Sequence, residues 1–240
     1  MLHHSLILKD LVLAEHPSRW PLPFHLDLGL SECLVMEGIG VKEVENLATV
    51  AATLSPVAAG ELWLWGREVN DVTRTELFEL RRRIALITPQ QVLLHRLTLA
   101  ENLTLGPAYH QGSSEASILE QNTPLLERLE LHDHLQSFPP QLPDHLVHRA
   151  LWARELMKEP DLILAVIGDP LSPGDQQRLM APLLKDLVSL QKTAILLMGR
   201  SLRAFHSLAH RLLRFKDGRF LEHRFLEHES RPLVGFLPLF

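Results

Sequence analysis

Short runs of consecutive apolar residues recur along the chain, separated by longer segments with helical spacing. Residues 5–13 have strand composition broken by Lys9-Asp10, and residues 24–28 alternate apolar and polar as a half-buried strand does. Residues 32–37 and 84–88 read as short buried strands, and residues 61–66 as another strand. Residues 162–167 and 193–198 are continuous apolar runs of the kind covered on both faces in a parallel sheet. Helical segments are expected up to residue 54, over 73–83, from Thr98 onward, over 115–128, over 145–158 behind an Asp144 cap, over 176–190 and over 202–210. Thr98 with Glu101 forms a capping box, and Thr73 or Thr75 is a cap for the charged helix. Residues 108–114 read as a polar loop, and 211–222 as a hairpin turning at Gly218. Buried strands alternating with helices predict an α/β fold with a mainly parallel sheet and an antiparallel β edge. Residues 92–159 are nearly all helical and interrupt that alternation as an inserted subdomain. The α/β core is then 1–91 with 160–226, followed by an apolar tail, 227–240.

The stretch from Glu32 to Gly66 has the layout of a phosphate-binding unit: strand, glycine loop, helix, turn, strand. Such a layout aims backbone N–H groups and a helix N-terminus at a phosphate. A working loop also needs G-x-x-x-x-G-K-[ST], whose lysine meets the terminal phosphates and whose hydroxyl meets magnesium. Here Gly38 and Gly40 are present, but counting back from Gly60 puts Val44 in the lysine slot and Glu45 in the hydroxyl slot. Glu43 stands where the preceding glycine belongs. Carboxylates suit the helix dipole but repel an incoming phosphate. An ordinary strand-to-helix turn accounts for the same residues.

Composition narrows the classes. The 240 residues suffice for a sizeable core. A net charge of −5 gives no broad basic field for nucleic acid. The single Cys33 lies in an apolar strand, with no disulfide framework and no zinc spacing. No signal peptide is read at the N-terminus, and no apolar run approaches the length of a membrane span. Among fourteen histidines, His206 and His210 have the i, i+4 spacing that can hold a metal on a helix, but no third ligand is visible, so no metal is expected.

Ordered landmarks over more than two hundred residues carry a resemblance. Pro56 to Gly60 with Glu61 and Gly66 looks like a P-x-x-G-E turn and strand, and residues 80–87 look like an R-R-x-I-G-x-V segment. Residues 97–103 are close to L-T-V-x-E-N-V. Gln141, Leu142, Arg149, Ala153, Arg154 and Leu156 match the skeleton of Q-L-S-G-G-x-x-Q-R-x-x-x-A-R-A-L, and Asp217-Gly218-Arg219 matches a closing D-G-R hairpin. The chain resembles the nucleotide-binding subunits of ABC transporters, nearest the branch serving lipoprotein, lipid and macrolide exporters. The resemblance implies a P-loop-NTPase-like fold.

It also exposes systematic departures. The signature Ser-Gly-Gly becomes Pro143, Asp144 and His145. The metal-anchoring aspartate falls on Val166 and the catalytic glutamate on Ile167; with a two-residue insertion, Gly168 and Asp169 take those places, which leaves Asp169 as a weak catalytic candidate. The switch histidine falls on Gly199, and the glutamine after the strand at 84–88 falls on Pro89, or on Gln90 with a one-residue shift. Losing these groups together removes nearly all that phosphoryl transfer uses. The resemblance therefore implies a pseudo-ATPase that uses no ATP or magnesium as cofactor. It implies a cytoplasmic subunit on the inner face of the membrane, holding a permease coupling helix against Gln90, Gln91, Val92, Leu93, Leu94 and His95 and pairing with a competent ATPase subunit. The same leucines read equally as subdomain core. Two other readings are a soluble adaptor that uses the apolar tail, and a weakly active ATPase with Lys42 reaching phosphate and Asp169 as base.

Overall fold

The structure is a computed structural model that describes residues 4–13, 23–168, 176–190, 193–225 and 237–238. The strands are β1 (His4–Val12), β2 (Phe24–Gly29), β3 (Cys33–Glu37), β4 (Ala59–Leu64), β5 (Arg67–Glu68), β6 (Ile84–Ile87), β7 (Leu162–Ile167), β8 (Ala194–Gly199), β9 (Arg211–Lys216), β10 (Arg219–Arg224) and β11 (Leu237–Pro238). The helices are α1 (Val41–Ala51), α2 (Arg74–Arg82), α3 (Leu99–Gln111), α4 (Glu115–Gln121), α5 (Thr123–Arg128), α6 (Asp144–Leu156) and α7 (Ala181–Leu190).

Two sheets form. The larger runs β11-β10-β9-β3-β8-β7-β6 and the smaller β2-β1-β4-β5. Strands β9, β3, β8, β7 and β6 are parallel neighbours, while β9–β10 and β10–β11 are antiparallel. The smaller sheet is antiparallel throughout. Period-two alternation divides the residues of the central strands between two cores. Leu34, Met36, Leu164, Val166, Leu196 and Met198 pack with α1 and the antiparallel sheet. Cys33, Val35, Ile163, Ala165, Ile195 and Leu197 pack with α3, α4, α5 and α6. The fold is therefore α/β with a mainly parallel sheet and an antiparallel edge, as the alternation of elements predicts.

Several boundaries differ from those the sequence suggests. The Lys9-Asp10 interruption is a register shift inside one strand, with Asp10 at φ 50, and does not end β1. Helix α3 continues through Pro107 to Gln111, so the expected loop at 108–114 begins only at Gly112. Gly112 at φ 67 supplies the left-handed stop, its N–H donating to Ala108 O at 3.0 Å. Pro143, not Asp144, occupies the cap position of α6, and Asp144 is its first helical residue without a side-chain cap bond. Residues 203–208 form a 3-10 helix where a longer α-helix was expected. The connection there must cross β3 to reach β9, and a 3-10 turn rises about 2.0 Å per residue against 1.5 Å. The segment expected as one helix over 176–190 is a π turn over Gln176–Met180 followed by α7. Of the apolar tail, Leu237–Pro238 lies on the β10 edge, and the rest falls outside the described residues.

Candidate functional site

Strand β3 is buried at every position, and only Gly38, Ile39 and Gly40 separate it from α1. Gly38 sits at φ 89, and a Cβ there would run into the Phe215 carbonyl. Its N–H donates to Arg200 O at 3.1 Å. Gly40 caps α1: its carbonyl accepts from the N–H groups of Glu43 and Val44, both at 3.2 Å. The Glu43 carboxylate returns to accept from Gly40 N–H at 2.9 Å. The helix thus starts at Val41, inside the span that a G-x-x-x-x-G-K loop leaves open to cradle phosphate. A carboxylate of the chain itself holds the loop N–H that a cradled anion would use.

The two slots next to it are no more suited to phosphate. Val44 is fully buried among the apolar residues of the α1 face. Glu45 is also buried, its Oε2 accepting from Gln90 Nε2 at 2.8 Å. Its Oε1 is enclosed without a hydrogen-bond partner. Burial pushes the Glu45 carboxyl upward, and the Gln90 hydrogen bond only partly opposes this. Lys42 is exposed on the first turn.

Gln90 and Gln91 begin the loop after β6. Gln91 N–H donates to Thr88 O at 3.2 Å, and Gln91 Nε2 to Leu86 O at 2.7 Å. The apolar run behind them divides. Leu93 is 2% exposed in the core, whereas Val92 and Leu94 are 67% and 50% exposed. His95 is exposed beside them. Asn102 fixes the run from α3, accepting from Leu94 N–H at 2.7 Å and donating to Leu94 O at 3.0 Å. Arg154 donates to Val92 O at 3.0 Å.

Where the resemblance puts the metal aspartate and catalytic glutamate, Val166 and Ile167 are buried. With Thr88, Pro89, His148, Leu151, Trp152 and Gly168 they border a cavity of about 30 Å³, the share of one water molecule. Asp169 lies outside the described residues. Gly199 closes β8 so near the Ile167 carbonyl that a Cβ would come within 2.7 Å of it. A switch histidine therefore does not fit there without moving β7.

In the signature segment, Asp144 and His145 are exposed on the first turn of α6, and Pro143 brings no N–H. Arg149 is buried and bonds the Glu130 carboxylate, which also accepts from Arg178 at 2.9 Å. Arg178 and then Arg149 hold the Glu130 carboxyl below its usual range. Glu130, which Arg149 holds, thus joins the helical segment through Arg178 to the turn before α7. His206 and His210 do not share a face: His206 turns to Glu37 and His210 Nδ1 accepts from Cys33 N–H at 3.0 Å. Among the described residues no group of three or more His, Cys, Asp and Glu side chains is arranged to hold a metal ion.

One residue escaped sequence reasoning. Glu37 ends β3, is 5% exposed, and binds Arg214, His206 and the Leu202 N–H. Burial alone would raise its carboxyl, but the His206, Arg214 and Leu202 hydrogen bonds overcome this and hold it at about 2.

Comparison with known proteins agrees with this architecture. No protein-family model matches the chain. It is 29% identical over 216 residues to the macrolide export ATP-binding/permease protein MacB of Burkholderia pseudomallei, covering 89% of this chain and 31% of that protein. It is 29% identical over 213 residues to the probable syringafactin export ATP-binding/permease protein SyfD of Pseudomonas syringae, covering 88% of this chain and 32% of that protein. The glutamate/aspartate import ATP-binding protein GltL of Escherichia coli is 32% identical over 146 residues, 61% of this chain and 59% of its own. The chain spans about a third of the length of the two export proteins. Among solved structures, the dimeric bacterial ABC transporter cassette MJ0796 superposes with a TM-score of 0.79 at 22% identity, covering 91% of this chain and 98% of that one. The same cassette bound to ADP and phosphate gives 0.76 at 21% identity, covering 91% and 98%. The fold is that of an ABC ATPase cassette. In sequence the chain is similar to ATP-binding proteins of ABC systems, among them those named for macrolide and syringafactin export. No helix among the described residues is long and apolar enough to cross a membrane.

The relatives are named for ATP binding; the positions to which the resemblance assigns the lysine and hydroxyl hold other groups here. A buried valine and a buried carboxyl stand in the lysine and hydroxyl slots, and Glu43 holds the loop N–H.

Proposed function

We propose that the chain is a catalytically degenerate ABC cassette that serves as a structural or regulatory component of a transporter complex. It neither needs nor hydrolyses ATP; it pairs with a permease and with a competent ATPase subunit on the cytoplasmic face of the membrane. The observation that carries this reading is the internal closure of the phosphate loop by the Glu43 carboxylate on Gly40 N–H, with Val44 buried in the lysine slot. The chemistry of phosphoryl transfer is positioning and charge neutralisation, and a loop closed by its own acid offers neither.

The permease reading draws support from surface that stays apolar. Val92, Leu94, Leu105 and Tyr109 are exposed on the glutamine loop and on α3. Val92 and Leu94, from the expected run of Gln90 to His95, belong to this surface and suit an amphipathic helical segment, whereas Leu93 of that run belongs to the core. The adaptor reading loses part of its basis, because Leu237–Pro238 pairs with β10 of its own chain. The displaced-group reading rests on Lys42, which stands exposed on the first turn of α1.

Calorimetric titration of the purified chain with magnesium ATP tests the proposal. No saturable heat and no release of phosphate are expected. Saturable binding with turnover would overturn it.

A further inference from the structure

Glu37 is a charged group at the end of an otherwise apolar strand, between Gly199 of β8 and Arg214 of β9 in the sheet register. An isolated carboxylate in that position is costly unless every lone pair is used. Its two oxygens divide their partners. Oε1 takes the Arg214 guanidinium, from Nε at 2.8 Å and from Nη2. Oε2 accepts from Leu202 N–H at 3.2 Å and from His206 Nε2 at 3.0 Å, which makes Nε2 the protonated nitrogen of that ring. The next residue, Gly38, donates its N–H to Arg200 O at 3.1 Å. Beneath these contacts Leu202 and Phe205 are fully buried in the core that also takes Val35.

The contacts share one geometry. Leu202 caps the 3-10 turn that carries the chain from β8 across β3 to β9, His206 lies within it, and Arg214 lies on the strand the turn feeds. Besides its own backbone bonds, among them Phe205 N–H to Leu202 O at 2.9 Å and Ala209 N–H to His206 O at 3.2 Å, the segment is held from below by Leu202 and Phe205 and at its edge by the Glu37 carboxylate.

We propose that Glu37 is a built-in brace that fixes residues 200–208 in a single arrangement through the chain's own charges. The segment follows directly on Gly199, where the family resemblance puts the nucleotide-responsive histidine. In this chain its position is set by a residue of β3. The brace stands on these contacts and does not depend on whether the chain hydrolyses ATP.

Amide hydrogen exchange on the full chain, wild type against Glu37→Gln, tests it. The amide keeps the shape but loses the charge that both Arg214 and His206 face. Exchange over residues 200–208 is expected to quicken by roughly tenfold or more, as for the loss of a charge-assisted hydrogen bond, with α3 unchanged. Unchanged exchange over 200–208, or an equal rise in α3 that marks general loosening, would overturn the brace. Should Glu37→Gln fail to accumulate as a folded chain, His206→Gln carries the same test. It removes one partner of Oε2 from a partly exposed position, and a selective rise over 200–208 upholds the brace while none overturns it.

Discussion

The strand–loop–helix unit contains two buried carboxyls in opposite circumstances. Glu37, at the strand end, has both oxygens committed to cationic or N–H donors and is held at about 2. Glu45, in the first turns of α1, has one oxygen on the Gln90 amide and the other enclosed without a partner, and its carboxyl is pushed upward. Burial acts in the same direction on both. What separates them is the charge of the partner: Glu37 meets the Arg214 guanidinium, whereas Glu45 meets the neutral Gln90 amide. One acid therefore stabilises the fold in its ionised form, and the other costs stability when ionised.

The largest expected effect follows from removing the first. Glu37→Gln leaves Arg214 beside a neutral amide and should lower stability by about 3 kcal/mol, toward the low end for a broken buried pair because Arg214 can recover some hydration. The sign with pH is fixed by the depressed carboxyl. The stabilisation is complete above the ordinary carboxylate value of 4.5 and fades as pH falls from there through about 2. Urea melts of wild type and Glu37→Gln between pH 7 and pH 2 should converge toward acid. Parallel curves would remove Glu37 from the acid response.

Much of the fold was legible because its causes are local. The apolar runs at 162–167 and 193–198 are strands buried on both faces, and Thr73 and Thr98 cap their helices with Glu76 and Glu101 returning to the cap. Asp217 at φ 51 and Gly218 at φ 75 make the expected hairpin turn. What stayed hidden depends on distant partners. Glu37 reads from the sequence as an unremarked strand end, because Arg214 and His206 are 177 and 169 positions away. Spacing predicts a helix over 202–210 but not the 3-10 turn at 203–208, because the need to cross β3 is a property of sheet order. Arg149 matched a signature skeleton, but its place beside Glu130 and Arg178 is that of a structural clamp. The alterations of the phosphate loop were readable residue by residue, whereas the closing contact of Glu43 on Gly40 needed the helix start to be known.

Glu45 gives the opposite response and a smaller one. Its carboxyl is raised, so the protonated form is favoured in the fold and stability falls as pH rises from about the ordinary carboxylate range through the elevated folded value. Glu45→Gln keeps the size and can keep one hydrogen bond with Gln90 while abolishing the charge. It should stabilise the chain by about 1 kcal/mol near pH 7 and remove that part of the pH slope. Destabilisation at neutral pH would mean that a cation reaches Glu45 after all, and the contrast with Glu37 would collapse.

The smallest effect is expected at Lys42, and it is informative because it is small. Lys42 is the remaining cation of the loop and the one group through which an active phosphate site could be rebuilt. It is exposed on the first turn of a helix, where a positive charge gains nothing from the dipole. Lys42→Ala should therefore alter the melting free energy by no more than about 0.5 kcal/mol. It should also leave the calorimetric response to magnesium ATP as flat as in wild type. A titration that is saturable in wild type and flat in Lys42→Ala would place a phosphate on this side chain. It would also show that the carboxylate closure by Glu43 opens to admit it, so that the acids of this unit gate the loop rather than seal it.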